Sequence, residues 1–110
     1  MRREIAWSDN AIALLDDIYN YYSKKSIKTA ARLYNKLLDS AEPLKTFPQV
    51  GPIEPLLEEH PENYRSLVVE KHYKLIYTIS PTLIEIHAIW AAKRNVPSVI
   101  SKKDRNIFMR

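Results

Sequence analysis

The hydrophobic period of this chain changes twice, and those changes restrict the fold more than any single residue does. "RREIAW" alternates, with Arg3, Ile5 and Trp7 on one side and Arg2, Glu4 and Ala6 on the other. That is the period-two pattern of a short strand. From Ala11 the step lengthens: Ala11, Leu14, Leu15, Ile18 and Tyr22 recur every three or four residues. The spacing predicts an amphipathic helix near residues 9–22, with Ser8 as N-cap and Asp9 favoured by the dipole of the first turn. The polar "SKKS", Ser23 to Ser26, interrupts it, and Ala30, Leu33, Tyr34, Leu37, Ala41 and Leu44 predict a second helix near 27–45. Pro43 lies near the end of that helix, where a missing N–H does least harm.

"FPQVGPIEPLLEEHPEN" reads as loop, with four prolines and the sole glycine, Gly51, which is expected at a positive φ. The two-residue period then returns. Strands are predicted near 65–70, 73–79 and 83–90, joined at residues 70–72 and by "SPT". Tyr73, Leu75, Tyr77 and Ile79 alternate with Lys74, Ile76 and Thr78; Ile84, Ile86, Ala88 and Trp90 alternate with Glu85, His87 and Ile89. The order is β-α-α-β-β-β. It predicts an α+β fold, an αα-hairpin packed on an antiparallel sheet completed by a three-stranded meander. The whole chain, 1–110, reads as one domain, with 98–110 a polar tail or short helix.

Composition narrows the function classes. Hydrophobic residues are 45% and charged residues 27%, which is globular rather than disordered. With no cysteine there are no disulfides or thiolate metal sites. No histidine pair has close metal-ligand spacing, so neither metal nor cofactor is expected. No apolar run reaches the ~20 residues of a membrane span, and the N-terminus lacks a signal-peptide core. A cytoplasmic protein is expected. Net charge is +4, unevenly placed. Residues 54–62 hold four glutamates and no Lys or Arg, whereas from Lys93 onward there are six Lys/Arg and one Asp. A polarised surface follows.

Several stretches together carry a family resemblance: "AWSDNA" at the end of the first strand, the helical hairpin, "LKTFPQVGP", "YRSLVVEKHYKLIYTI" and "IEIHAIWAAKRN". In this order and at this length the chain resembles the RelE/ParE toxins of bacterial type II toxin–antitoxin systems. The resemblance implies a toxin that arrests growth unless a cognate antitoxin covers it. It also implies one of two activities: inhibition of DNA gyrase, as in ParE-like members, or cleavage of messenger RNA on the ribosome, as in RelE-like members. Val69 stands where RelE-like nucleases carry an arginine, and "NVPSVI" lacks their C-terminal Tyr or His. Arg94 matches a cation after the last strand, and Lys74 falls where some ribosome-dependent members have an arginine. The resemblance thus favours a ParE-like gyrase inhibitor. The alternatives are a ribosome-dependent endoribonuclease and a non-toxic relative that only binds protein.

Lys74, Lys93 and Arg94 are accordingly the expected target-binding residues, with Lys74 and Arg94 the candidates for any catalysis. Each is equally readable as a solvated strand or strand-end cation. Trp90 is expected on the face of Ile84 and Ile86, capping the core beside the two exit cations. Imidazole suits general acid–base work near neutrality, which makes His72 and His87 candidates, but a turn position for His72 and a face shared with Glu85 for His87 favour surface histidines; His60, in the loop, has less to suggest it. Tyr19, Tyr21, Tyr22 and Tyr34, near Lys24, Lys25 and Lys28, fit either stacking on nucleic acid or half-buried helix tyrosines.

Overall fold

The computed structural model describes residues 3–92. The elements follow the predicted order: β1 (Glu4–Trp7), α1 (Asp9–Ser23), α2 (Ile27–Ser40), β2 (Arg65–Val69), β3 (Tyr73–Ile79) and β4 (Leu83–Ala91). Lys93, Arg94 and the tail expected at 98–110 lie outside the described residues.

Each helix begins on a side-chain cap. The Ser8 hydroxyl accepts from the Ala11 N–H at 3.0 Å, and the Ser26 hydroxyl accepts from Thr29 at 3.1 Å. The second helix stops sooner than its apolar spacing suggests. α2 ends at Ser40, and Glu42–Lys45 continues as a 3₁₀ turn with Pro43 in its first turn. Proline has no N–H to give an α-helical ladder, but it fits the first turn of a new helix.

The sheet order is β1-β4-β3-β2. The last three strands form the expected antiparallel meander, and β1 joins β4 in parallel, so the sheet is mixed. The helical hairpin between β1 and β2 makes the crossing that a parallel neighbour requires. One face of the sheet meets the hairpin. Leu75, Tyr77, Ile84, Ile86 and Ile89 pack there with Ala11, Leu15, Leu33, Leu37 and Leu44, and Ile5 and Trp7 adjoin them. The other face is covered by the proline-rich loop: Leu57 and Tyr64 cluster with Ile76, Ala88 and Trp90.

That second cluster corrects the expected position of Trp90. Ile76 pairs with Ala88 and Tyr77 with Ile86, so the register passes over His87, which forms a β-bulge. Because side chains alternate with period two, one extra residue sends everything beyond it to the opposite face. Ile84 and Ile86 therefore face the helices, while Ala88 and Trp90 lie under the loop and Ile89 returns to the helix side. The His87 carbonyl is held by the Ser8 hydroxyl at 3.1 Å and the Asn10 amide at 3.0 Å. The start of α1 thus fixes the bulge.

Gly51 is also not where backbone freedom is used. Its φ is not positive; the positive values are at Glu70 (58°) and Lys71 (65°), in the β2–β3 turn. Gly51 is needed for closeness. A Cβ there would stand 2.5 Å from the Ser66 carbonyl oxygen and 2.7 Å from the Tyr77 hydroxyl. Without it, the Gly51 N–H donates to the Tyr77 hydroxyl at 3.0 Å, and that hydroxyl donates to the Pro48 carbonyl at 2.6 Å. The loop is tied to the sheet at this point.

Candidate functional site

Lys74 leaves β3 on the loop-covered face, opposite Leu75 and Tyr77, as alternation predicts. It is not a free charge. Its Nζ donates to Glu54 Oε1 at 2.7 Å, and Glu54 is only 1% exposed. The Glu54 carboxylate also accepts the Leu56 N–H at 3.1 Å and a hydrogen bond from Ser66, itself buried. Burial raises the Glu54 pKa, but Lys74, the Leu56 amide and Ser66 together outweigh it, and the net shift is downward. Across the strand pair, Trp90 lies directly opposite Lys74, with the ammonium 5.9 Å from the ring centroid. That is cation–π range. Lys74 thus joins the loop, the sheet and the indole, and one glutamate of the acidic stretch is spent inside the molecule rather than on its surface.

A second polar group gathers toward the other end of the same face. The bulge turns the His87 ring under the loop, where Nε2 lies 2.8 Å from Thr78 Oγ1 and 3.9 Å from Glu85. The ring meets Tyr64 edge-on at 5.3 Å, and Tyr64 meets His60 in the same way at 4.9 Å. The Tyr64 hydroxyl donates to Glu62 at 2.8 Å. Burial pushes the His87 pKa down, against the pull of Glu85 and Glu62. Tyr64 is pushed up to about 12 by burial and by Glu62, so it holds its proton at neutral pH. His87 is therefore a half-buried neutral imidazole rather than a surface histidine. His72 is in the exposed β2–β3 turn, and its carbonyl accepts the Ala92 N–H at 2.7 Å. This bond sets the turn beside the exit of β4.

The structure brings Lys74 and Trp90 together, and it sets His87 against Tyr64, which clusters with Trp90 on the same face. The sequence reading missed Glu54 and Ser66. Their signal was faint but present: strands apolar on both sides, as at Leu75, Ile76 and Tyr77, are covered on both faces. Lys74, on the same face as Ile76, then needs a partner from whatever covers that face. The helix tyrosines are half-buried or exposed: Tyr73 donates to Tyr22 at 3.2 Å, Tyr19 meets Tyr34 edge-on at 5.8 Å, and Tyr21 is exposed. Among the described residues no helix is long and apolar enough to cross a membrane.

A helical hairpin and a proline-rich loop on opposite faces of this mixed sheet define a small α+β domain. Residues 5–96 match the family described as ParE toxin of type II toxin–antitoxin system, parDE. The chain belongs to this family, within the RelE/ParE toxins. Among solved structures it resembles the chromosomal ParDE toxin–antitoxin system of P. aeruginosa, at TM-score 0.70 and 22% identity over 84% of this chain and 98% of that one. It also resembles the YoeB dimer of Staphylococcus aureus, at 0.47 and 24% over 82% and 97%, respectively. The E. coli DinJ–YafQ toxin–antitoxin complex follows at 0.46 and 20% over 83% and 93%. At these identities the likenesses are ones of fold. No curated protein sequence matched the chain.

Proposed function

We propose that this protein is a ParE-like toxin that inhibits DNA gyrase and is neutralised by a cognate antitoxin. The family match over residues 5–96 carries the reading. The Glu54–Lys74 pair adds to it. A nuclease of this family would want its strand cation free to face a scissile phosphate, and here that cation is held at 2.7 Å by a buried carboxylate. Lys93 and Arg94 then remain the target-binding cations, with Lys74 supporting the surface from beneath. The antitoxin covers apolar surface left bare: Phe47 (66% exposed), Val50, Ile53 and Leu56 on the loop, and Val68 (59% exposed) on the edge strand β2. The family's toxin–antitoxin pairing, and the toxin–antitoxin complexes among its structural likenesses, support that partner.

The competing reading is a ribosome-dependent endoribonuclease. It draws on His87, whose lowered pKa keeps it an unprotonated base at neutral pH. The deciding experiment sets purified protein against gyrase supercoiling and, in parallel, against message cleavage on translating ribosomes. Inhibited supercoiling with intact message supports the proposal; cleaved message with unaffected gyrase overturns it. Within the first outcome, Arg94→Ala is expected to lower target affinity more than tenfold, on the order of 1.5–3 kcal/mol, with melting unchanged. Wild-type growth arrest by that variant would remove Arg94 from the site.

A further inference from the structure

The gyrase reading makes no use of the tyrosines on the helical hairpin. Tyr19 and Tyr34 stand edge to face at 5.8 Å across the α1–α2 seam. With Asp16 and Asn20 they line an open recess of 430 Å³. The volume is within the ~300–1,000 Å³ of ligand sites, and its openness suits a side chain laid in from a partner. Its chemistry is not that of a phosphate site. The charged group in the lining is a carboxylate, whereas Lys24, Lys25 and Lys28 are not part of it. α1 carries Asp9, Asp16 and Asp17 and no lysine or arginine, in a chain whose net charge is +4. Asp16 is exposed and makes no ion pair with any described residue.

We infer that this recess binds an arginine side chain presented by a protein partner. In this perpendicular pair one tyrosine ring gives a planar guanidinium a face to stack on while the other flanks it edge-on, and the Asp16 carboxylate accepts its paired N–H donors. The Asn20 amide oxygen supplies one more acceptor at the rim. An ammonium would fit the charge but not the fork and plane. A phosphate would meet the Asp16 charge head on. The assignment is independent of the toxin's target: it concerns the hairpin, on the side of the sheet away from Lys74.

Titration of the labelled full chain with acetyl-arginine amide, followed by NMR, tests it. The expected result is saturable shifts centred on Asp16, Tyr19, Asn20 and Tyr34, with a dissociation constant on the order of millimolar. Asp16→Asn is expected to weaken binding at least about tenfold, as for a lost charge-assisted bidentate contact. Tyr19→Leu tests the ring separately, and if either variant melts below the parent the other decides. Tetramethylammonium, which lacks N–H donors, is expected to bind more weakly. Equal binding by tetramethylammonium overturns the arginine assignment in favour of a general aromatic cation site. Equal shifts with acetyl-leucine amide, or no saturable shift with acetyl-arginine amide, overturn the site altogether.

Discussion

Both faces of the sheet are covered, but by different means. On the helix side the contacts are mainly apolar, from Leu15 and Leu37 to Ile84 and Ile86, with the Tyr73–Tyr22 hydroxyl bond beside them. On the loop side a small cluster around Ile76 and Trp90 shares its space with a buried ion pair and a half-buried histidine. A helix satisfies its own backbone and can offer an unbroken apolar stripe. A loop cannot. Its polar groups must find partners as it crosses the sheet, and it finds them through Gly51 at Tyr77, Glu54 at Lys74 and Glu54 at the Leu56 amide. The helix-covered face therefore holds the fold together, and the loop-covered face places charge.

The largest expected effect comes from emptying each face in turn. Ile86 and Ile76 are both fully buried, one on each side. Ile86→Ala is expected to destabilise by about 2–5 kcal/mol, toward the upper end because helices and strands enclose the cavity on every side. Ile76→Ala belongs near the lower end, because a loop can settle into the space. Chemical denaturation of both variants checks the order. Equal losses would mean that the loop is packed as rigidly as the hairpin.

The ion pair gives the next effect. Lys74→Met leaves the Glu54 charge buried without its cation and is expected to cost about 1–3 kcal/mol, below the ~3–5 of a fully buried pair because Lys74 is 20% exposed. Glu54→Gln leaves a lysine that can turn to water and should cost less. The double variant is expected to recover part of the loss, and a double-mutant cycle measures the coupling. Simple additivity would reduce the pair to a crystal-like coincidence of positions with no energetic link.

Acid should separate the faces without any substitution. The lowered Glu54 pKa means that the unfolded chain takes up protons first, so its contribution is complete above the unfolded value of 4.5 and is lost as pH falls through the folded value below it. His87 acts with the same sign. Its neutral form is favoured in the fold, so stability begins to fall below 6.5 and continues down through its lower folded pKa. Melting temperature against pH is expected to drop in two stages, with His87→Gln removing the upper and the Glu54→Gln, Lys74→Met pair the lower. A curve unaltered by both sets of changes would place the acid sensitivity elsewhere.

How much of this the sequence discloses differs between the faces in the same way. The helices, their Ser8 and Ser26 caps and the strand spans follow from periodicity, because burial on one side imposes a repeat that survives in the residues. The bulge at His87 does not follow. Ile84, Ile86, Ala88 and Trp90 read as one unbroken alternation, and only the apolar run from Ala88 to Ala92 hints that the register changes. Glu54 in "GPIEPLLEE" looks like its exposed neighbours Glu58 and Glu59. A loop's burial is decided by a few long-range contacts, with no period to record it. The same reasoning explains Gly51, whose role depends on the approach of Ser66 and Tyr77 from a strand pair far along the chain.

The smallest effect is expected where neither face is involved. Glu70 and Lys71 take φ of 58° and 65° in the β2–β3 turn, a left-handed pair that glycine or asparagine fits better. Glu70 bonds Arg32 at 3.3 Å across to α2, so changing it would mix two effects. Lys71 is exposed and is the cleaner site. Left-handed backbone costs a residue with a Cβ roughly 1–2 kcal/mol, and the greater freedom of glycine in the unfolded chain takes back about half of that. Lys71→Gly is thus expected to stabilise by about 0.5–1 kcal/mol, and to do so equally at pH 7 and in acid, because the gain comes from backbone conformation. Melting of this variant across the same pH series provides the baseline for the other measurements. A gain that vanished in acid would tie the turn to the Glu54–Lys74 pair two residues up the strand, and the two faces would no longer be independent.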